Sequence, residues 1–279
     1  AVLVEVIRPG RISTPLMISE TGVAQSRNTI GLTPQVGGQV VEVSPNLASG
    51  GLFEAGEILF RVDPSDYEAE VDRARAELSS AQADLQVEMA EAEIANREWS
   101  LVNPGEPIPA LVAREPQIAR ARAAVESAQA RLRTAQLNLS RVAFSLPFAG
   151  RVVTTSIEPG QTLAPNQTYG QAYARDSLEV SVSISASALE RLSPAVGRAA
   201  TIRLEEPRRT RDYPAEVVRV EAELDAQTRL GRIIVRPLTP PNIIPGTFLS
   251  VEIVGPMLTD VYPIPEQAVS EGLTVWVVE

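Results

Sequence analysis

The side chains in this chain that could take part in chemistry are carboxylates and guanidinium groups. Among its 279 residues there is no histidine and no cysteine, and all 25 basic residues are arginine. The chain therefore lacks the side chain that titrates near neutral pH and the thiolate nucleophile. It also lacks lysine, whose side-chain amine would carry a lipoyl or biotinyl group or form a Schiff base. A zinc site would be missing its usual nitrogen and sulfur ligands.

Neighbouring carboxylates are the remaining arrangement that could serve general acid–base catalysis. Glu91 and Glu93 are close in sequence, but they fall within a long helical pattern, on a face that we expect to be solvated. The three methionines are scattered and no histidine accompanies them, so a soft-metal site is not expected. We therefore predict no enzymatic activity, no cofactor and no metal site.

Composition limits the class of protein further. A net charge of −10 disfavours a nucleic-acid partner, because phosphate binding requires a basic surface. A chain of 279 residues can form two to four small domains. The sequence contains no run of about 18 apolar residues, which is the length needed to cross a bilayer. The first residues lack a signal-peptide pattern and the last stop within a strand-like pattern, so we expect a fragment trimmed at both ends.

Residues 65–144 have the pattern of two long helices that pack against each other. Ser65 and Glu68 have the spacing of a capping box, which predicts where the first helix starts. Apolar residues then recur every seven positions, as in a coiled coil, with Glu88 interrupting one row. The rows of the first helix are Val71, Leu78, Leu85, Ala92 and Trp99, and Tyr67, Ala74, Ala81, Ala95 and Val102. Those of the second helix are Leu111, Ile118, Val125, Leu132 and Leu139, and Ala121, Ala128, Ala135 and Val142.

Three prolines and one glycine within residues 103–109 predict the turn between these helices, since they do not continue a helix. Because Leu111 keeps the seven-residue spacing, we expect the second helix to begin near Pro109 and to be only kinked at Pro116. Each arm would then contain about 35 residues and extend roughly 50 Å. Equal arms predict an antiparallel hairpin that projects from the rest of the protein.

A short β-rich motif occurs on both sides of this hairpin. Residues 38–41 (GQVV) are repeated as 150–153 (GRVV), and residues 54–59 (EAGEIL) as 158–163 (EPGQTL). Such a repeat predicts that the two halves pair into one small β domain, which the hairpin interrupts.

The remaining segments favour antiparallel β structure. Residues 177–255 contain several short strand patterns and one helix, which indicates a small β-barrel. Strands near the two chain ends are expected to pair with each other. The predicted fold class is mainly β with a long α-helical coiled-coil hairpin, modular and elongated. Its parts are a membrane-proximal β domain (1–31 and 257–279), a split lipoyl/biotinyl-like domain (32–64 and 145–175), the hairpin (65–144) and the barrel (176–256).

This nested order resembles the periplasmic adaptors, or membrane fusion proteins of the HlyD-like family, that serve resistance-nodulation-division (RND) efflux pumps. The half-motifs resemble a lipoyl/biotinyl domain, and residues 225–238, 244–255 and 261–278 are similar to the segments that follow it in that family. The resemblance implies a non-catalytic periplasmic protein, anchored to the inner membrane by an N-terminal segment outside this sequence. It implies an inner-membrane efflux transporter, an outer-membrane channel and further copies of the chain, in a hexameric ring, as partners in small-molecule export.

The outer end of the hairpin is the predicted surface for the channel. In the family an arginine and a leucine precede the turn, and Arg97 and Leu101 fit those positions, whereas residues 103–116 (NPGEPIPALVAREP) replace the expected serine. We expect Ile108→Asp and Arg97→Glu to abolish channel assembly with little change in melting temperature. Leu101 and Leu111 could alternatively close the seam between the helices. The predicted contact residues are Arg97, Leu101, Asn103, Gly105, Glu106, Ile108, Leu111 and Arg114.

Two other functions fit parts of the sequence. A lipoyl or biotinyl carrier would use the split β domain, but it requires a modifiable lysine where this chain has the hairpin. An adaptor of an ATP-driven exporter or a type I secretion system would share all the modules, and the sequence does not separate it from an RND adaptor.

Overall fold

The computed structural model describes residues 7–206, 209–221, 225, 227–269, 274–275 and 277. Its strands are β1 (Ile12–Ser26), β2 (Thr29–Gly31), β3 (Gly38–Val43), β4 (Leu52–Phe53), β5 (Ile58–Val62), β6 (Ala143–Ser145), β7 (Gly150–Thr155), β8 (Thr162–Leu163), β9 (Gly170–Ala174), β10 (Leu178–Ile184), β11 (Ala199–Glu206), β12 (Arg209–Val220), β13 (Gly231–Pro237) and β14 (Phe248–Val261). The helices are α1 (Ser65–Val102), α2 (Glu115–Ser140) and α3 (Ala186–Arg191). The chain forms two compact units, Thr29–Tyr173 and Ala1–Asn28 with Ala174–Glu279.

Six strands of the unit that contains the chain ends close into a barrel in the order β1-β10-β13-β12-β11-β14. Alternate side chains point inward, and valine, isoleucine and leucine dominate its core. β1 closes the barrel because it pairs with β10 along one edge and with β14 along the other. Gly22 lies at this closure, where a Cβ atom would come within 2.5 Å of Val180 Cγ1.

This pairing contradicts the prediction that residues 1–31 form part of a separate domain, since β1 is a barrel strand. A strand has two hydrogen-bonding edges, so the 15 residues of β1 can join both neighbours. The predicted meeting of the chain ends is confirmed for Ile12, which pairs with Val261. β14 therefore continues past the predicted boundary at residue 256. The last predicted strand, within 274–278, lies partly outside the described residues.

The other unit contains two four-stranded sheets, β2-β9-β7-β4 and β6-β5-β3-β8. Each sheet takes strands from both halves of the sequence repeat, as the repeat predicts. Phe53, Leu59 and Val152 are among the side chains of their common core, and Phe60 stacks on Phe144 with ring centroids 4.7 Å apart.

The repeat also extends to turn chemistry. Gly56 and Gly160 occupy equivalent turns with φ of +76° and +85°, a conformation that glycine adopts without strain. In the first turn, Glu57 Oε2 accepts a hydrogen bond from Glu54 N–H at 2.9 Å. In the second, Gln161 Oε1 accepts from Glu158 N–H at 3.0 Å. The two turns are therefore held by the same bond, made by a carboxylate in one half and an amide in the other.

The helices α1 and α2 belong to this unit: α1 follows β5 and α2 precedes β6, and these two strands are neighbours in one sheet. They run antiparallel, because Ala74 packs in one cluster with Ala135 while Glu77, one turn further along α1, pairs with Arg131 at 3.1 Å. The seven-residue rows are buried or half-buried from position 67 to 99 in α1 and from 118 to 142 at and beyond α2. No helix within the described residues is long and apolar enough to span a membrane.

The ends of the helices differ from the sequence prediction. α2 begins at Glu115 instead of Pro109, so the helices contain 38 and 26 residues and the arms are unequal. Pro116 lies in the first turn of α2, where its missing N–H has no partner to lose, and it starts the helix without kinking it. Val102 and Leu111, which the pattern places in the rows, are 77% and 75% exposed.

The predicted capping box at Ser65 is also wrong. Ser65 donates its N–H and its hydroxyl to Asp63 Oδ1, at 2.9 and 2.6 Å. Asp63 is a stronger acceptor two residues earlier, so the serine hydroxyl turns back instead of capping the helix. The N–H of Glu68 donates to Pro64 O at 2.8 Å.

Candidate functional site

The predicted contact residues lie where α1 ends and the chain turns back. The N–H of Asn103 donates to Trp99 O at 2.8 Å and closes the last turn of α1. The N–H of Glu106 then donates to Asn103 O at 3.2 Å across a β-turn. Pro104 occupies the second position and Gly105, with φ of +87°, the third, as in a type II turn. Proline and glycine thus reverse the chain immediately after α1.

A single helical turn precedes α2. The N–H of Ala113 donates to Pro109 O at 2.9 Å, and Arg114 then adopts a left-handed conformation with φ of +57°. The N–H of Glu115 donates to Ala110 O at 3.0 Å, and that of Arg114 donates to Leu111 O at 3.3 Å. This pair of bonds is a Schellman motif, which ends one helical segment before α2 begins.

The side chain of Arg114 explains why an arginine occupies a position that favours glycine. A left-handed conformation costs a non-glycine residue about 1 kcal/mol. The Nη2 atom of Arg114 lies 2.7 Å from Glu88 Oε2 and 2.6 Å from Glu91 Oε2. The hydrogen bond to Glu88 raises the pKa of Arg114 further above its usual range. Arg114, predicted as a partner contact, therefore uses its charge to tie the returning chain to α1, and Glu88 serves as its acceptor.

Three large apolar side chains at this end are largely exposed. Leu101, Val102 and Leu111 are 80%, 77% and 75% exposed, whereas Ile108 is half-buried. Leu101 and Leu111 therefore do not close the seam between the helices. The sequence prediction did not include Val102 among the contact residues, because Val102 continues a seven-residue row. The row itself does not show that α2 begins too late to cover Val102.

The remaining predicted contacts differ in their availability. Arg97 pairs with Glu93 at 2.5 Å along α1. Gly105 and Glu106 are exposed, and Asn103 is half-buried. Arg97→Glu would place like charges one helical turn apart, and Ile108→Asp would partly bury a charge, so both would perturb the fold as well as a partner contact. Leu101 and Leu111 are the cleaner probes of this surface.

The carboxylates considered for acid–base catalysis are accounted for by ion pairs. Glu91 binds Arg114 and Glu93 binds Arg97. Within the described part of the chain, no group of acidic residues has an arrangement that could hold a metal ion. This end of the helix pair is therefore an exposed apolar surface with ion-paired charged residues beside it.

A recess of about 310 Å³ lies beside the exposed Leu111. Ile94 and Leu111 supply its apolar wall, and Glu91 and Glu98 supply carboxylates. Gln117 also lines it, and its Oε1 is buried with no hydrogen-bond partner within the described residues. The recess therefore combines an apolar wall with two carboxylates.

Comparison with known proteins gives a consistent set of relatives. The family model for the barrel-sandwich hybrid domain of RND membrane fusion proteins (MFP) matches residues 28–174, more than half of the chain. The efflux pump periplasmic linker BepD of Brucella suis is 29% identical over 255 residues, which cover 84% of this chain and 62% of that protein. The multidrug export protein AcrE of Escherichia coli is 27% identical over 252 residues, which cover 85% and 64%.

Solved structures share the fold. A MacA–MexA chimeric protein that contains the Pseudomonas aeruginosa MexA α-hairpin domain superposes with a TM-score of 0.60 at 24% identity, covering 97% of this chain and 92% of that one. A putative efflux transporter from Bacteroides eggerthii gives 0.62 at 16% identity, covering 99% and 84%. The chain spans less than two thirds of the length of the curated relatives named above.

Proposed function

This chain belongs to the RND membrane fusion proteins, and from that membership we propose that it is a periplasmic adaptor between an inner-membrane efflux transporter and an outer-membrane channel. In this role α1 and α2 are the coiled-coil hairpin, and its outer end contacts the channel. Several copies, six by the family resemblance, surround the export path. An N-terminal segment outside this sequence anchors the protein to the inner membrane.

The observation that carries this proposal is the exposure of Leu101, Val102 and Leu111, each 75% exposed or more. Apolar side chains gathered at an exposed surface mark an interaction site, because water contact costs free energy that a partner removes. The end of a projecting helix pair is also where they stabilise the fold least. An outer-membrane channel is the partner that an adaptor of this family would meet there.

The side-chain inventory supports a non-catalytic role. The chain has no histidine, cysteine or lysine, and Glu88, Glu91 and Glu93 near the exposed end are held by arginines. Binding, positioning and assembly remain as the ways in which such a chain can act.

The proposal is tested with Leu101→Asp combined with Leu111→Asp in the full-length protein, in cells that lack the chromosomal copy. We expect the variant to lose co-purification with the channel and to lose export. Its amount and melting temperature should stay nearly unchanged, because substitutions of exposed residues usually cost within about 0.5 kcal/mol. The transporter that co-purifies with the wild-type protein distinguishes an RND pump from an ATP-driven exporter.

The matched control is Val41→Asp, which makes the same kind of change at an apolar residue of β3 that is 51% exposed. It should retain export and channel binding. Normal export by the Leu101/Leu111 double variant would show that the channel surface lies elsewhere.

A further inference from the structure

The net charge of the helix pair is concentrated at its outer end. Residues 88–117, which form this end, contain six glutamates and two arginines, so their net charge is −4. The rest of the pair, residues 65–87 and 118–141, contains seven acidic and seven basic residues and is neutral. Acidic residues that served solubility alone would not need to be confined to one end. The charged residues of the outer end are Glu88, Glu91, Glu93, Arg97, Glu98, Glu106, Arg114 and Glu115.

Both arginines of the outer end are already bound to glutamates. Arg97 pairs with Glu93 along α1. Arg114 is shared by Glu88 and Glu91, so these three side chains together keep one negative charge. The other three glutamates are exposed and make no ion pair within the described part of the chain: Glu98, Glu106 and Glu115. The outer end therefore contains no basic side chain that could neutralise them.

The position of Glu98 on α1 is unfavourable for the helix itself. A helix has a partial negative charge at its C-terminus, where basic side chains are stabilising and acidic ones are not. The last turn of α1 contains no basic residue, and Glu98 lies immediately before that turn. Glu115, by contrast, lies in the first turn of α2, where a carboxylate stabilises a helix. Helix stability therefore accounts for Glu115 but not for Glu98.

The unpaired carboxylates lie beside the exposed apolar side chains. Glu98 and Leu111 line the same recess. Glu98 also precedes Leu101 and Val102 by three and four positions, which places the three side chains on one side of α1. Glu106 is exposed in the turn that follows α1. An apolar centre with a charged border is the composition of a protein interface, and this border is negative.

We propose that the channel surface bound by this adaptor is apolar and is bordered by basic side chains, arginine or lysine. The inference rests on the proposed function, because it specifies the chemistry of the partner that meets the same outer end. Apolar contact supplies affinity, while opposite charges raise the association rate and disfavour a channel whose end is acidic. The charge of the outer end thereby selects among channels.

The test measures binding of the full-length adaptor to the purified channel that co-purifies with the wild-type protein. A reversed variant carries Glu98→Arg with Glu106→Arg, and a neutral variant carries Glu98→Gln with Glu106→Gln. Both should keep the wild-type melting temperature, because Glu106 is exposed in a turn and arginine suits the C-terminal end of α1. Since salt screens exposed charges, the Kd of the wild-type protein should rise by about tenfold between about 0.05 and about 0.5 M NaCl.

The variants should separate charge from apolar contact. At low salt the reversed variant should bind about tenfold more weakly than the wild-type protein, mainly through slower association. The neutral variant should bind with intermediate affinity and respond less to salt. The matched control is Asp84→Arg with Glu126→Arg, which makes the same change in net charge at exposed residues that have no ion pair within the described part of the chain. These residues lie in the neutral part of the helix pair, so the control should bind like the wild-type protein.

Exchanging the charges on the channel completes the test. Replacing the basic residues at its periplasmic end by glutamate should weaken binding of the wild-type adaptor and strengthen binding of the reversed variant. Equal or tighter binding by the reversed variant to the natural channel, or a channel end without basic residues, would overturn the inference. If the Leu101/Leu111 double variant still loses binding in that case, the proposed function stands. A wild-type adaptor that binds no outer-membrane channel would overturn both.

Discussion

Glu57 and Gln161 hold equivalent turns with the same hydrogen bond, but only Glu57 titrates. The hydrogen bond from Glu54 N–H, followed by that from Asn46, lowers the pKa of Glu57 from its ordinary value of 4.5. Stability that depends on this carboxylate is therefore complete above about pH 4.5 and is lost as the pH falls through the lowered pKa of the folded state. We expect Glu57→Gln to reduce the loss of stability between pH 6 and pH 3, measured by urea unfolding at each pH.

The other half of the repeat supplies the control. Gln161→Ala should lower stability by a similar amount at both ends of that pH range, because the bond it removes has no ionisable acceptor. A Glu57→Gln variant with the full wild-type pH dependence would assign the acid sensitivity to other carboxylates, such as Asp63 or Asp225.

Single residues also mark where the sequence prediction failed. The capping box depends on Ser65, but Asp63 takes its hydroxyl. The expected continuous second helix depends on Leu111, but Arg114 adopts a left-handed conformation and binds two carboxylates on α1. Both outcomes depend on competition between side chains that are close in space, which a one-dimensional pattern does not contain.

At the scale of elements, the helix pair should be separable from the sheets that hold it. β5 and β6 pair directly, and Val62 N–H donates to Val142 O at 3.0 Å. Replacing residues 64–141 by a short Gly/Ser linker should therefore leave these strands joined as a hairpin. Circular dichroism should lose nearly all helical signal, since α3 has only six residues.

The barrel and the two sheets should still unfold cooperatively in this deletion variant. If the barrel still unfolds cooperatively but the amide hydrogens of both sheets are no longer protected from exchange, the helices are needed to fold the split domain. That result would contradict the expected independence of the sheets.

The elements themselves were predictable to different degrees. Seven-residue spacing identified the buried rows of both helices, and the repeat identified which β segments share a core, because both patterns record burial directly. The barrel was expected from strand patterns, but the membership of β1 was not. Its alternation shows that one face is buried and does not reveal which strands lie at its edges, because pairing is set by contacts about 150 to 250 residues away.

For the whole molecule, the two units have separate hydrophobic cores with no buried residue in common. Ile202 in the barrel and Leu59 between the sheets are both fully buried. Replacing either by alanine should cost about 2–5 kcal/mol. We expect Ile202→Ala to speed amide hydrogen exchange only in barrel strands, and Leu59→Ala only in the strands of the other unit.

Each of these two variants is the control for the other. Faster exchange throughout the chain in both variants would show that the units unfold as one body. The same measurement would then predict that damage to the barrel also loosens the base of the helix pair.

The attachment of both helices to β5 and β6 has a mechanical consequence. Axial force on the far end reaches two bonded strands in the same direction, so it does not separate them. A sideways force pulls one helix and pushes the other, and it loads the hydrogen bonds between these short strands in shear, together with the stacked Phe60 and Phe144 rings. We therefore expect the helix pair to withstand force along its length better than sideways force at the two strands that hold it.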